Sequence, residues 1–313
     1  MDAALPVKPK KGKRPAWKRS VWKQLWIDKT TYAMIAPFML GFLVFQVAAV
    51  FIAMGMSFTD YNIFTPPSFV GLSNYISMFL NDDIFVTALQ NTLLLAFVTG
   101  PLSFVACFMF AWLINELPRR IRSVLTVLLY APTLSQLNFL SFVIVFGGMR
   151  YAYVNSFLLR LGIIDKPIQF FNDPKYMMGV VIIVTIWMSL GVSFLAFIAG
   201  LKTVDPQLYE AASIDGIKNR FQELIYVTLP NMKPQLMFGA VMQIAAAFSC
   251  GNVSANLNGA IPVDYATYTI AMHITDYGSR RYEMGYASAM SVILFLFLLL
   301  THKIISKFLM EEN

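Results

Sequence analysis

The chain has 313 residues, of which 58% are hydrophobic and only 13% charged, and its formal net charge is +7. A soluble domain carries about 25% charged residues, so this composition excludes an ordinary water-soluble fold and indicates a membrane protein. The basic excess does not indicate nucleic acid: nine of the 24 Lys and Arg residues lie in the first 29 positions, next to a long apolar run, as in a cytoplasmic membrane flank.

In chain order, residues 1–29 form a basic tail. Within it, WKRSVWKQLWIDK places Trp17, Val21, Trp22, Leu25 and Trp26 on one helical stripe, with Lys18, Arg19 and Lys23 off it. This reads either as a basic amphipathic helix lying flat on the membrane or as a tail that only sets topology. Residues 1–14 have the composition of a disordered segment. Residues 30–313 are read as one membrane domain.

A transmembrane helix needs roughly 20 mainly apolar residues. Six segments qualify, at about 32–58, 87–115, 121–147, 177–201, 234–256 and 284–308, and their interiors lack Asp, Glu, Lys and Arg. The expected fold is all-α with six transmembrane helices. The first run is too long for a signal-peptide core and lacks a small-residue cleavage site before Asp60, so it is read as an uncleaved span. With the N-terminus inside, 18 Lys and Arg residues fall on the inner side and six on the outer. Both termini are therefore expected in the cytoplasm, together with the polar segment 205–230.

Several chemistries find no support. There is no GxxxxGK[ST] loop, since Gly12-Lys13 lacks both the upstream glycine and the following hydroxyl, so the chain is not expected to bind ATP itself. His273 and His302 are isolated from other metal ligands, and no Ser-His-acid or paired-carboxylate pattern is present. Cys107 and Cys250 sit inside apolar segments and read as inert buried thiols. No catalytic residue, metal or cofactor is expected on this chain. The charge-free span interiors disfavour an ion-coupled carrier, although sodium sites built from carbonyls and hydroxyls stay open. Energy for uphill movement must then come from a partner.

The segment DPQLYEAASIDGIKNRFQELIYVTLP (205–230) interrupts two charge-free stretches. Asp205-Pro206 is a helix start and Gly216 a stop, which predicts a helix of about ten residues. Leu208, Ala211, Ala212 and Asp215 are placed on one face with Tyr209 beside them, and a second helical piece is expected at Arg220–Val227. A helix so short is marginal in water and needs a surface to hold it.

Glu210, Ala211, Ala212, Gly216, Leu229 and Pro230 together resemble the EAA motif of membrane subunits of binding-protein-dependent ABC importers, with one residue more than usual between Gly216 and Pro230. FVGLSNYISMF (69–79), ALQNTLLLAF (88–97), LNGAIP (257–262) and GYASAMSVILFLF (285–297) are similar to the carbohydrate-uptake, maltose-type permeases. LNGAIP stands where that branch has a Gly-Gly-Pro turn, and the large extra loop domain of maltose permease is absent. The resemblance implies a type I ABC importer permease fold in a bacterial inner membrane, with Glu210, Ala211, Ala212, Asp215 and Gly216 on a coupling helix seated in an ATPase groove. It also implies a second homologous permease chain, two ATPase subunits that bind the ATP and Mg, an external solute-binding protein and a sugar or oligosaccharide substrate. Other solutes for the same machine (acidic saccharide, polyol phosphate, peptide) remain rivals, with Arg150, Arg160, Arg280 and Arg281 keeping acidic saccharides open. An ion-coupled carrier or a membrane-bound enzyme is the rival from another class.

A neutral polyol needs hydroxyl, amide and aromatic groups along its path and no charges. Thr185, Ser189 and Ser193 recur every four residues on the fourth span. Ser249, Asn252 and Asn256 recur at three and four on the fifth, beside Phe248. Such residues either join helices or line a polar cavity, and these seven are the candidate substrate contacts. The outer loop 257–282, with Asp264, Asp276 and several tyrosines, is a candidate surface for the binding protein or an ordinary solvated loop.

Overall fold

The structure, a computed structural model, describes residues 29–134 and 138–310; the predicted surface helix of the basic tail lies outside the described residues. By internal contacts the chain divides into two units, residues 1–52 and 53–313. The first holds α1 (Lys29–Phe42), a π-helical turn (Leu43–Ala48) and the start of α2 (Ala49–Met56), whose last four residues fall in the second. Thr30–Met56 is long and apolar enough to cross a membrane as a single rod.

The second unit opens with a short antiparallel hairpin, β1 (Thr59–Asp60) against β2 (Ser68–Phe69), and then α3 (Ser73–Leu80). Its axis is α4 (Asp83–Asn115), whose 33 residues make a rod of about 50 Å, longer than hydrocarbon is thick. After α5 (Arg119–Leu134), α6 (Asn138–Phe146) and α7 (Tyr153–Arg160) come two broken spans. The first is α8 (Pro174–Met188) with α9 (Val192–Leu201), bent by 44°. After α10 (Pro206–Ile214) and α11 (Arg220–Glu223), the second is α12 (Lys233–Phe248) with α13 (Gly251–Asn258), bent by 42°. The chain ends with α14 (Ile270–Thr275) and α15 (Met284–Met310). Among the described residues three helices are long and apolar enough to span a membrane, and five spans result if each bent pair is one. The remaining predicted span, 121–147, is divided between α5 and α6, with 135–137 outside the described residues.

Lipid tails are as apolar as leucine, so close packing rather than exclusion from water must hold these helices together. α4, α9 and α12 pack against one another around Phe108, Phe194, Phe197, Leu201, Met232 and Leu236. Gly239 of α12 lets the ring of Phe197 approach so closely that an added Cβ would sit 2.2 Å from it. Phe197 meets Phe104 and Phe108 of α4 edge-on at 5.5 and 5.7 Å.

The end of the unit at the start of α4 is fixed by polar contacts. Asp82 accepts from the Phe85 N–H through one oxygen (2.9 Å) and caps α4. Its other oxygen lies 3.0 Å from Nε2 of the buried His273 and accepts from the Tyr286 hydroxyl at 2.9 Å. This one carboxylate thus joins α4, α14 and α15. Burial raises its affinity for a proton, but the bonds from His273, the Phe85 amide and Tyr286 outweigh that and hold the carboxyl below its ordinary value. A lowered carboxyl contributes stability above the ordinary carboxylate range, and the contribution is lost as pH falls through the folded-state value. Asn91 extends the same joint by donating to the Tyr265 and Tyr268 carbonyls at 2.9 and 3.0 Å. Replacing Asp82 with Ala removes the cap and leaves His273 and Tyr286 without their acceptor, a combined cost of about 2–4 kcal/mol. A thermal-unfolding series on purified protein should show a melting temperature several degrees below wild type at neutral pH, with the gap closing in strong acid.

Candidate functional site

Both breaks in the spans meet at one place. The first falls at Ser189–Gly191 and the second at Ser249–Cys250. Breaking a helix frees backbone groups that lipid cannot satisfy, so such breaks persist only where protein or a polar cavity receives them. The Ser189 carbonyl accepts from the Gly191 N–H across the break (2.7 Å), and also from the amide of Gln243 on α12 (3.2 Å) and the thiol of Cys107 on α4 (3.3 Å). The Ser189 hydroxyl turns back to the Ile186 carbonyl at 2.6 Å. Between the breaks lies a cavity of about 110 Å³ lined by Thr99 and Ser103 of α4, Thr185 and Ser189, and Gln243 and Ser249 among others. Among the described residues no Asp, Glu, Lys, Arg or His lines it.

Thr185 and Ser189 thus share this cavity with Ser249. Asn252 and Asn256 continue the face of Ser249 along α13, and all three side chains are exposed. Asn256 donates to the Asn252 carbonyl at 2.7 Å, which steadies the turn. The remaining two candidate contacts lie elsewhere. Ser193 is buried and donates to the Gly239 carbonyl across the α9–α12 crossing (3.4 Å), as a helix-joining hydroxyl does. Phe248 is buried on the other side of α12, in an apolar groove of about 500 Å³ shared with α4 and α15. Sequence reasoning missed Thr99, Ser103 and Gln243. Thr92, Thr99 and Ser103 stand at intervals of seven and four in a charge-free span, a spacing that marks one polar face.

The segment 205–230 begins as its residues dictate. Asp205 accepts from the Gln207 N–H at 2.9 Å, and Pro206 opens α10. At the other end Gly216 has φ +96°, and Ile217 N–H reaches back to the Ala212 carbonyl at 3.0 Å, closing a Schellman cap. Ala212 and Tyr209 face the protein, where Tyr209 bonds Thr228 through their hydroxyls at 2.9 Å. Leu208, Glu210, Ala211, Asp215 and Ile214, the last 87% exposed, face outward. Ala212 therefore stands apart from the face expected to hold Leu208, Ala211 and Asp215, because Tyr209 one turn earlier draws its side inward.

Asn219 caps α11 through the Phe221 N–H at 3.0 Å. Arg220 pairs with Glu223 at 2.8 Å and with Glu116, just past the end of α4, at 3.4 Å. The helix then widens into a π turn at Leu224–Thr228, where the Thr228 hydroxyl donates to the Glu223 carbonyl five residues back, before Leu229-Pro230. One surplus residue is what a π turn absorbs, so the long spacing between Gly216 and Pro230 has a local structural counterpart.

Residues 115–309 match the family model described as "Binding-protein-dependent transport system inner membrane component". The arabinooligosaccharides transport system permease protein AraP of Bacillus subtilis is 32% identical over 91% of this chain and 90% of its own length. The probable ABC transporter permease protein YesP of the same organism is 31% identical over 84% of each chain. The fold is shared, at a TM-score of 0.77 and 23% identity, with a crystal structure of a bacterial ABC transporter involved in the import of the acidic polysaccharide alginate, covering 94% of this chain and 99% of that one. Fold and sequence agree, and the chain belongs to the family of binding-protein-dependent transport system inner membrane components.

Proposed function

We propose that the chain is one permease subunit of an ATP-driven ABC importer for a neutral sugar or oligosaccharide. It lies in the bacterial cytoplasmic membrane with both termini inside, pairs with a second similar permease, docks two ATPase subunits that hold ATP and Mg, and receives substrate from an external binding protein. The observation that carries this reading is the uncharged hydroxyl and amide face formed by Ser249, Asn252 and Asn256 at a broken span. An exposed Asn facing lipid would be costly, so this face must meet a polar path or a partner. Relatives whose names specify saccharide transport support the substrate class. A neutral cargo is favoured over an acidic one because Arg280 and Arg281 are both engaged by Asp276, at 3.6 and 2.9 Å, rather than offered as anion contacts.

In this reading α10 is the coupling helix. Its capped ends keep a nine-residue helix formed without a groove around it, and Leu208, Ala211 and Ile214 supply the apolar side that a groove would cover. Closure of the ATPases pulls on α10, and the Arg220 pairs and the Tyr209–Thr228 bond carry that displacement to α4 and α12. No bond of the substrate is made or broken on this chain.

Three outcomes follow. Affinity purification from the native membrane should recover a second permease and an ATPase, and a chain that transports alone would exclude the importer. In proteoliposomes holding the whole complex, Ser249→Ala with Asn252→Ala removes two hydrogen-bonding groups, each worth about 1 kcal/mol. The KM for saccharide uptake should rise about tenfold or more; an unchanged KM would remove these residues from the path. Gly216→Val places a β-branched residue at φ +96°, at about 1–3 kcal/mol of strain. Substrate moved per ATP hydrolysed should fall severalfold, and full coupling in that variant would exclude α10 as the docking element.

A further inference from the structure

Hydroxyls in the helices of this protein usually satisfy themselves. Thr92, Thr99, Thr126, Ser291 and Thr301 each donate to the carbonyl four residues back, at 2.7 to 2.9 Å. Ser103 and Thr185 do not. Both are buried, at 2% and 8% exposure, and neither hydroxyl has a hydrogen-bond partner. They come from different helices, α4 and α8, yet line the same cavity between the two breaks. Two unpartnered hydroxyls in one cavity are a demand for something that both donates and accepts.

Charge and size narrow what can answer it. Among the described residues no ionisable group other than thiol lines the cavity, so an ion would enter without a counter-charge from them. Its volume of about 110 Å³ is roughly that of three or four waters, too small for a whole sugar ring but sufficient for one hydroxyl-bearing edge. Ser249 lines the cavity and is also exposed, so the cavity reaches the polar face of α13.

We propose that this cavity is a side subsite of the translocation path in which Ser103 and Thr185 take a hydroxyl or hydroxymethyl group of a neutral saccharide lying against Ser249, Asn252 and Asn256. Ser103, which was not among the candidate contacts, then becomes a specificity-determining residue. Without substrate the two hydroxyls are left without partners, and the saccharide edge supplies the hydrogen bonds they lack. A site built to hydrogen-bond a hydroxyl rejects an analogue lacking it far more strongly than an apolar pocket rejects an extra group. This inference rests on the sugar-importer reading.

The experiment uses the complete complex in proteoliposomes and a neutral panel of arabinotriose, xylotriose and maltotriose, with Ser103→Ala, Thr185→Val and Ser103→Thr compared with wild type. Ser103→Ala and Thr185→Val should each raise KM about tenfold for the transported member, while Ser103→Thr, which keeps the hydroxyl, holds KM within about threefold. Melting temperatures of the two deletion variants should equal or exceed wild type, because each removes an unpaired buried hydroxyl. Wild-type uptake with unchanged KM in both deletion variants overturns the subsite and leaves the importer standing. A fall in maximal rate without a change in KM also overturns it, assigning the cavity to water at a hinge. If wild type carries no member of the panel and no other saccharide stimulates its ATPase, the sugar reading fails and the subsite with it.

Discussion

A membrane offers no water to a broken helix, and this protein breaks two spans at one level. Everything near the centre of the second unit answers the polar groups so exposed. Gln243 and Cys107, in an otherwise apolar packing, add to the Gly191 N–H at the Ser189 carbonyl. Gly239 is small because its carbonyl must come within reach of Ser193 while Phe197 passes over it. The uncharged character of the cavity follows from the same condition, since a charge there would need its own partner in hydrocarbon. An uncharged polar cavity is thus produced by the same departures from helix that must be satisfied for the fold to exist.

The two ends of the unit solve different problems. At the start of α4, one carboxylate gathers three elements and a buried histidine, and the surrounding aromatic rings exclude solvent from it, with Tyr277 4.8 Å from the His273 ring. At the other end the contacts are exposed and individually weak: surface ion pairs such as Arg220–Glu116 contribute roughly 0–1 kcal/mol. The unit is thus firmly tied at one end and held by weaker, exposed contacts at the other.

Much of this was legible from residue order. The spans, the Asp205 cap, the Gly216 stop and the polar faces follow from local rules whose partners lie within a few residues. The bends did not announce themselves, because Ser189 and Ser249 are ordinary residues in apolar runs and the side chains that meet the Ser189 carbonyl, Gln243 and Cys107, lie 54 and 82 residues away. Ser193 carried the right periodicity for the polar path and Phe248 stood beside it, yet both serve packing, since a period of about 3.6 fixes which residues share a stripe and not which neighbour the stripe meets. The inward turn of Ala212 likewise required knowledge of where Tyr209 finds Thr228, 19 residues away.

The π turn at Leu224–Thr228 bears on how such a chain tolerates change in length. An extra residue in a regular helix rotates everything beyond it by about 100° and advances it by about 1.5 Å. Here Leu224 and Val227 remain buried and Leu229 still packs on the core shared by α4, α9 and α12. The surplus is stored as girth rather than as phase. One added residue between α10 and α12 is thus accommodated with the buried positions on either side kept in register.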